Sequence, residues 1–110
     1  MAKKEAHNNP ILAADLELVD EPENRRFVVR VDGHRASLEY DRDAERIFLT
    51  GINIPLALRR YELSDALVEK VLIHVEEQRW KLIPTHPAIK DYMRTHSAWQ
   101  RLLLKGIEIR

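Results

Sequence analysis

The sequence predicts an α+β domain in which an antiparallel meander of strands is followed by a β-α-β crossover and short C-terminal helices. Two observations predict it. Residues 27–52 hold short runs rich in β-branched and aromatic residues, separated by turn residues. Beyond residue 62 the apolar residues take the spacing of a helix, and a short apolar run ended by Pro84 follows directly. A strand, a helix and a strand in this order predict a right-handed crossover between parallel neighbours.

The length and composition bound the classes of protein that this chain can be. Its 110 residues suit one domain, expected at 15–110 after a loosely held tail at 1–14. Eighteen basic and 18 acidic residues balance, so nothing in the charge favours nucleic acid or a membrane surface as a partner. The absence of cysteine excludes disulfides and thiolate catalysis. The N-terminal residues lack the apolar run of a signal peptide or membrane span, so we expect a cytoplasmic location.

The first half of the chain is expected to form the meander. The predicted strands cover residues 16–19, 27–31, 35–40 and 46–52. The second and third of them flank Asp32 and Gly33, the dipeptide most typical of a two-residue hairpin, because glycine adopts a positive φ at little cost. A charged turn at 41–45 precedes the last strand. The first strand rests on the weakest pattern.

The second half of the chain changes to a helical period. The apolar residues that recur on one helical face are Leu67, Val68, Val71, Leu72 and Val75. A strand over 80–84 follows, and a second helix is expected from Pro87 to Arg94, because proline suits the first helical position. A third, short helix is expected at 98–104. Residues 106–110 are predicted to form either a closing strand or a tail.

The start of the first helix admits two interpretations. Ser64 is a good N-cap, Asp65 suits the first turn, and Leu63 and Val68 would form a hydrophobic staple across that cap. In this interpretation the side chains satisfy the helix start without a ligand. In the other, residues 59–62 form a phosphate-binding loop that has lost its glycines.

The loop interpretation rests on a family resemblance. The run IPLALRRYELSDALV, from Ile54 to Val68, resembles VPxxLRGxGIGxxLV, the acetyl-CoA loop of GNAT acetyltransferases, and looks most like the small, single-domain bacterial group. The run LIPTHPAIKDYMRTHSAW is similar to that group's VVPLCPxVxxYxxRHPEY. With the upstream strands, the resemblance covers roughly residues 24–101. It implies a GNAT-like fold, acetyl-CoA or CoA as cofactor, no metal, and acetyl transfer to a primary amine or a protein acceptor.

The resemblance also assigns candidate site residues. The cofactor-binding positions that it implies are Ile54, Arg59, Arg60, Tyr61, Glu62, Leu63 and Ser64. His86 stands where the group has a cysteine, and an imidazole near neutrality suits a general base; the alternative is that it hydrogen-bonds a helix end. Tyr92 matches a proton donor to the departing thiolate, or else is a core residue with its hydroxyl tied to backbone.

Several positions depart from the family pattern. Arg60 and Glu62 replace loop glycines, and Gly51 and Asn53 replace a histidine and a glutamate of the strand before the loop. The added carboxylate predicts weakened CoA binding, which the arginines would partly offset. Two functions remain open. One is an N-acetyltransferase, and the other is a GNAT-like module that keeps the fold and acts by protein contact without catalysis.

Overall fold

The computed structural model describes residues 11–109. Within them, five strands form one sheet in the order β1-β2-β3-β4-β5. The strands are Val19–Glu21 (β1), Arg26–Val31 (β2), His34–Asp43 (β3), Arg46–Asn53 (β4) and Lys81–Pro84 (β5). The first four run antiparallel to their neighbours, and β5 is parallel to β4. The predicted α+β architecture is therefore confirmed.

Two α-helices within the described range complete the crossover and follow it. The helix α1 (Leu63–Gln78) joins β4 to β5, and α2 (Pro87–Thr95) comes directly after β5. Short 3₁₀ helices occupy Ala13–Asp15, Pro22–Asn24, Leu56–Tyr61 and Ser97–Leu102. None of the helices between residues 11 and 109 combines the length and the apolar character that crossing a membrane requires.

The hairpin between β2 and β3 has the turn that its sequence predicts. Asp32 has φ 53° and Gly33 has φ 80°. Two consecutive positive φ values are the mark of a type I′ turn, whose twist matches that of the flanking strands. The turn holds β2 and β3 in register, with Arg26 opposite Glu39 and Phe27 opposite Leu38.

The core lies between one face of the sheet and α1. The sheet contributes Phe27, Val29, Leu38, Ile47, Leu49 and Leu82, all almost completely buried. The helix contributes the apolar stripe identified in the sequence, with Leu63 and Ala66 added at its start. Burying a leucine or phenylalanine side chain contributes roughly 1.5–3 kcal/mol. Packing of the stripe thus fixes α1 across the strands and sets the position of its N-terminus.

The strands β4 and β5 part in the middle of β4. Their pairing runs from Arg46 opposite Lys81 to Leu49 opposite Pro84. A last hydrogen bond joins the Thr85 N–H to the Leu49 carbonyl at 3.0 Å, after which the chain turns into α2. The strand β4 continues to Asn53, so its final residues have no β5 partner. An opening forms beside them.

A bulge in β4 lies at the same point. Tyr40 of β3 is opposite Leu49, whereas Glu39 is opposite Gly51, so Thr50 is the extra residue. Such a bulge bends the strand and re-aims the side chains that follow it. Gly51 and Asn53 consequently share one face of the strand beyond the opening.

The first strand differs from its prediction. The sequence predicts a strand over 16–19, whereas β1 covers Val19–Glu21. Leu16 is buried in the core instead of pairing along the sheet edge. The hydroxyl of Tyr40 donates to Asp20 at 2.5 Å, which fixes the paired segment further along the chain. Burial of one leucine and one long-range hydrogen bond outweigh the local strand pattern.

The ends of the chain also differ in part from expectation. Residues 1–10 of the expected tail lie outside the described residues, but Ile11 donates its N–H to the Tyr61 carbonyl at 3.2 Å and Ala13 is buried. The short helix expected at 98–104 is a 3₁₀ helix over Ser97–Leu102. Leu103 then forms a single parallel bridge with Leu82, and no strand forms over 106–109.

Candidate functional site

A cleft of about 430 Å³ lies where β4 ends and α1 begins. We call it the loop cleft. It is lined by Ile52, Asn53, Ile54, Arg59, Glu62, Leu63 and Ser64. Five of the seven residues expected to bind the cofactor therefore meet here, and Arg60 and Tyr61 do not line the cleft. The crossover places the end of a strand and the start of a helix on either side of one opening.

The start of α1 carries no side-chain cap. The cap position is Glu62, whose backbone is left-handed at φ 51°, and no side chain accepts a hydrogen bond there. The N-cap predicted at Ser64 is therefore wrong, because burial of Leu63 draws the helix start forward and places Ser64 inside the first turn. Leu63 is the first helical residue, so it does not hold the position before the cap that a hydrophobic staple with Val68 requires.

Backbone donors at this helix start are consequently available. The N–H groups of Leu63, Ser64 and Asp65 have no acceptor within the described part of the chain. The first N–H groups of an α-helix always need a partner from outside the helix. Together with the positive end of the helix dipole, they form a natural anion-binding arrangement. The geometry suits a phosphate that enters the loop cleft.

The two arginines before the helix differ in their availability. Arg59 is exposed, lines the loop cleft and forms no ion pair with any described residue. Arg60 instead donates to the Tyr61 hydroxyl at 3.1 Å and lies 3.6 Å from the Asp32 carboxylate. The hydroxyl of Tyr61 in turn donates to Asp32 at 3.0 Å. The hydrogen bond to Tyr61 is the main cause that raises the pKa of Arg60. Arg59 is the guanidinium available to an anion.

A second cleft, of about 390 Å³, adjoins the same helix start. We call it the helix cleft. It is lined by Ile11, Leu12, Ala13, Glu62, Ser64, Asp65, Ala66, Glu69, Tyr92 and His96. Three of these side chains are carboxylates, so the cleft favours a positive group or a neutral one. Glu62 and Ser64 line both clefts, so they form the boundary between an anion-attracting site and an acidic one.

Tyr92 lies at the wall of the helix cleft. It is buried, and its ring stacks on that of His96 with centroids 4.0 Å apart. Burial raises its pKa first, and the negative charge of Glu69 raises it further, while a hydrogen bond from Trp99 partly opposes the increase. The phenol therefore stays protonated through neutral pH. A protonated phenol can act as a proton donor. The role that the family resemblance implies for Tyr92 stays a prediction.

His86 occupies the N-cap of α2. Its Nδ1 atom accepts a hydrogen bond from the Ala88 backbone N–H at 3.1 Å. An Nδ1 atom that accepts this bond has no proton, so the neutral ring carries its proton on Nε2. The ring is half-buried and lines neither cleft. The helix-end contact considered from the sequence is present, and catalysis by His86 stays a prediction.

One carboxylate that the sequence reasoning did not single out lies next to the opening. Glu39 is the cross-strand neighbour of Gly51, and a Cβ atom at Gly51 would lie 2.6 Å from its Oε1. The signal in the sequence is the glycine itself, because a residue without a side chain inside a strand often accommodates a close neighbour. The register that brings the two residues together depends on the bulge at Thr50, which no local pattern predicts.

The site shows no arrangement for a metal. Among residues 11–109, no group of three or more histidine or carboxylate side chains is placed to hold an ion. The carboxylates of the helix cleft are therefore charged groups without a metal-binding geometry.

A protein-family model matches this chain, and its bounds coincide with elements of the fold. The model of the GCN5-related N-acetyl-transferase family matches residues 26–102. The match begins at the first residue of β2 and ends with the 3₁₀ helix that follows α2. The matched range includes every residue that lines the loop cleft. Residues 11–13, which line part of the helix cleft, lie outside the match. No curated protein matches the chain significantly.

Proposed function

Because the chain belongs to the GCN5-related N-acetyltransferase family, we propose that it is an acetyl-CoA-dependent N-acetyltransferase whose loop cleft binds the pyrophosphate of the cofactor. The observation that supports this proposal is the uncapped start of α1. Three backbone N–H groups there have no acceptor in the described part of the chain, although a serine lies two residues beyond the cap. A helix start without internal partners leaves its donors for a ligand.

The charges around that start would tune the affinity. Arg59 offers a bidentate donor for a phosphate, and a hydrogen bond to a charged group is worth roughly 1.5–3 kcal/mol. Glu62 and Asp65 place negative charge beside the same donors, which opposes an anion. The left-handed backbone at Glu62 still gives the loop the conformation that a glycine would adopt. We expect CoA to bind, and more weakly than in a loop of glycines.

The opening between β4 and β5 would receive the reactive end of the cofactor. When bound there, acetyl-CoA would supply an acetyl thioester for direct attack by a primary amine. The residues of β4 beyond Leu49 have no β5 partner, so their backbone groups on that side are free to orient a ligand. The protonated phenol of Tyr92 would provide a proton from the side of the helix cleft.

A second candidate function is a GNAT-like module that acts through protein contact without acetyl transfer. The carboxylate of Glu62 favours it, because this group borders both clefts at the point where the cofactor phosphates would lie. The cap formed by His86 favours it as well, because a ring nitrogen that holds a helix end is not free to take a proton.

Calorimetric titration with CoA tests the proposal, and a thiol-release assay with acetyl-CoA and a panel of primary amines follows it. We expect saturable binding with one CoA per chain and release of free thiol that depends on the amine. Binding without thiol release would support the second candidate. Failure to bind CoA at millimolar concentration would contradict the assignment of the loop cleft.

A further inference from the structure

We propose that Glu39 is the carboxylate that holds the acceptor amine and takes its proton. The inference rests on the proposed function, since it concerns the same acetyl transfer. It names a residue on β3, a strand that supplies none of the residues that line the loop cleft. The observation that carries it is the position of the Glu39 side chain over the backbone of Gly51.

The position of this carboxylate is fixed by the register of the sheet. Glu39 lies opposite Gly51, which is two residues beyond the last β4 residue that pairs with β5. A Cβ atom at Gly51 would be 2.6 Å from Oε1 and 3.5 Å from the carboxyl carbon. A Cβ atom there would therefore require the flexible end of the Glu39 side chain to move away from β4. The carboxylate thus lies against β4 at the opening where the strands part.

Glu39 is also free of competing partners. Its other cross-strand neighbour is Arg26 of β2, whose Nε donates to Glu21 at 3.0 Å. A second arginine, Arg35, also pairs with Glu21, at 2.9 Å. No hydrogen bond or ion pair joins Glu39 to any residue between 11 and 109. An exposed carboxylate without an internal partner can bind an ammonium group from outside the chain.

The chemistry requires such a group. A primary amine is protonated near neutral pH and has no lone pair for attack until it loses a proton. As the amine nitrogen forms its bond to the acetyl carbon, the carbon–sulfur bond breaks and the electron pair leaves with the thiolate. The ammonium group loses two protons in all: one passes to the Glu39 carboxylate and on to solvent before the attack, and the second passes to Glu39 as the amide forms. The thiolate takes one proton from Tyr92, which regains it from solvent, and Glu39 releases its second proton to solvent. The net reaction therefore releases one proton and needs no further reactant.

Acceptor specificity follows from the same placement. The carboxylate is exposed on the sheet face opposite α1, so it suits an unhindered alkylammonium group rather than a buried ring amine. Glu39 and Asp41 alternate with the core residues Leu38 and Tyr40 along β3, so both project from this face. We therefore expect a primary alkylamine, such as a lysine side chain or a short amine, as the acceptor class.

The test compares three variants of the full chain with the parent. Glu39→Gln removes the proton acceptor and keeps the shape, and we expect kcat/KM for the amine to fall by about a hundredfold or more. Gly51→Ala keeps the carboxylate of Glu39 but displaces it from β4, and we expect a smaller loss of kcat/KM. Asp41→Asn neutralises a carboxylate two residues along the same strand, and we expect kcat/KM within about twofold of the parent.

The Kd of CoA separates this inference from the proposed function. It should stay within about twofold of the parent in Glu39→Gln and Asp41→Asn, because both residues lie on β3 and neither lines the loop cleft. If Glu39→Gln retains the parent kcat/KM, the inference is wrong while the acetyltransferase assignment stands. If the parent transfers acetyl to no amine, the second measurement decides.

That measurement is a titration with propylamine, which is cationic near neutral pH, followed through the backbone amide resonance of Gly51. Supporting evidence is a saturable shift in the parent that disappears in Glu39→Gln and persists in Asp41→Asn. A shift of equal size in Glu39→Gln, or no shift in the parent, would overturn the assignment of Glu39 as the amine-binding group.

Discussion

Glu62 holds the cap position of α1 in the left-handed conformation, and Ser64 lies two residues further along, inside the first helical turn. A helix start needs a backbone reversal and a capping side chain, and here these two features belong to different residues. The residue that supplies the backbone reversal is a charged one, and the residue with a good capping side chain is too far inside the helix to cap it. The start of α1 is left with backbone donors that have no acceptor among the described residues, and with a nearby negative charge.

The first prediction concerns the caps of the two helices. Ser64→Ala should change the free energy of unfolding by less than roughly 0.5 kcal/mol, because the hydroxyl caps nothing and alanine is the better helix former. His86→Ala should cost about 1 kcal/mol, because it removes the acceptor for the Ala88 N–H. Urea unfolding of both variants measures the difference. A decrease of about 1 kcal/mol in the free energy of unfolding of Ser64→Ala would show instead that Ser64 is the N-cap of α1.

The second prediction separates the conformation of Glu62 from its charge. A left-handed residue other than glycine costs roughly 1–2 kcal/mol, and the greater freedom of glycine in the unfolded chain offsets part of the gain. Glu62→Gly should therefore stabilise the fold by on the order of 0.5 kcal/mol and also bind CoA more tightly, by about tenfold. Glu62→Gln removes only the charge.

The glutamine variant should gain CoA affinity without gaining stability. Thermal unfolding and calorimetric titration of the two variants distinguish these effects. Weaker CoA binding in both variants would mean that the carboxylate itself contacts the ligand, and the loop would then need a different account.

Local chemistry explains which features of the fold the sequence predicts well. The turn at Asp32 and Gly33 follows from two adjacent residues that tolerate a positive φ. The body of α1 follows from five apolar residues at helical spacing. Neither depends on a distant part of the chain, so a pattern of a few residues is sufficient for both.

Features that depend on contacts between distant parts of the chain do not follow from local sequence patterns. The strand β1 moves along the chain because Leu16 enters the core and Asp20 accepts a bond from Tyr40. The start of α1 moves because Leu63 is buried. In the site, the residues of the loop cleft come from the segment 52–64, and five of the seven are among the cofactor-binding residues expected from the sequence, whose role stays a prediction. The contact of Glu39 with Gly51 depends on a bulge between two strands, and no local pattern contains it.

The third prediction distinguishes the two arginines of the loop. Arg59→Ala should weaken CoA binding by at least tenfold, about 1.4 kcal/mol, because Arg59 lines the loop cleft and forms no ion pair with any residue from 11 to 109. Arg60→Ala should have a smaller effect, since Arg60 is held by Tyr61 and Asp32. Titrations at low and high salt provide the measurement.

The salt dependence of CoA binding provides a control for these two variants. Binding by the parent should weaken as salt increases, and Arg59→Ala should lose part of that dependence because one charge contact to phosphate is gone. A larger loss in Arg60→Ala than in Arg59→Ala would reverse the assignment and make Arg60 the phosphate ligand.

The last prediction concerns the dependence of stability on alkaline pH. Burial and the charge of Glu69 raise the pKa of Tyr92 above its unfolded value of 10.0. Above pH 10 the folded state therefore retains a proton that the unfolded state has lost. The contribution of Tyr92 to the free energy of unfolding is fully present below pH 10 and is lost as the pH rises through the folded pKa. Burial and the bond to Asp20 raise the pKa of Tyr40 in the same direction.

Tyr92→Phe should reduce the slope of unfolding free energy against pH above pH 10 without abolishing it, and Glu69→Gln should reduce it less. Chemical unfolding between pH 8 and pH 11 measures these slopes, and a parent slope that Tyr92→Phe leaves unchanged would show that the phenol is exposed to solvent in the helix cleft.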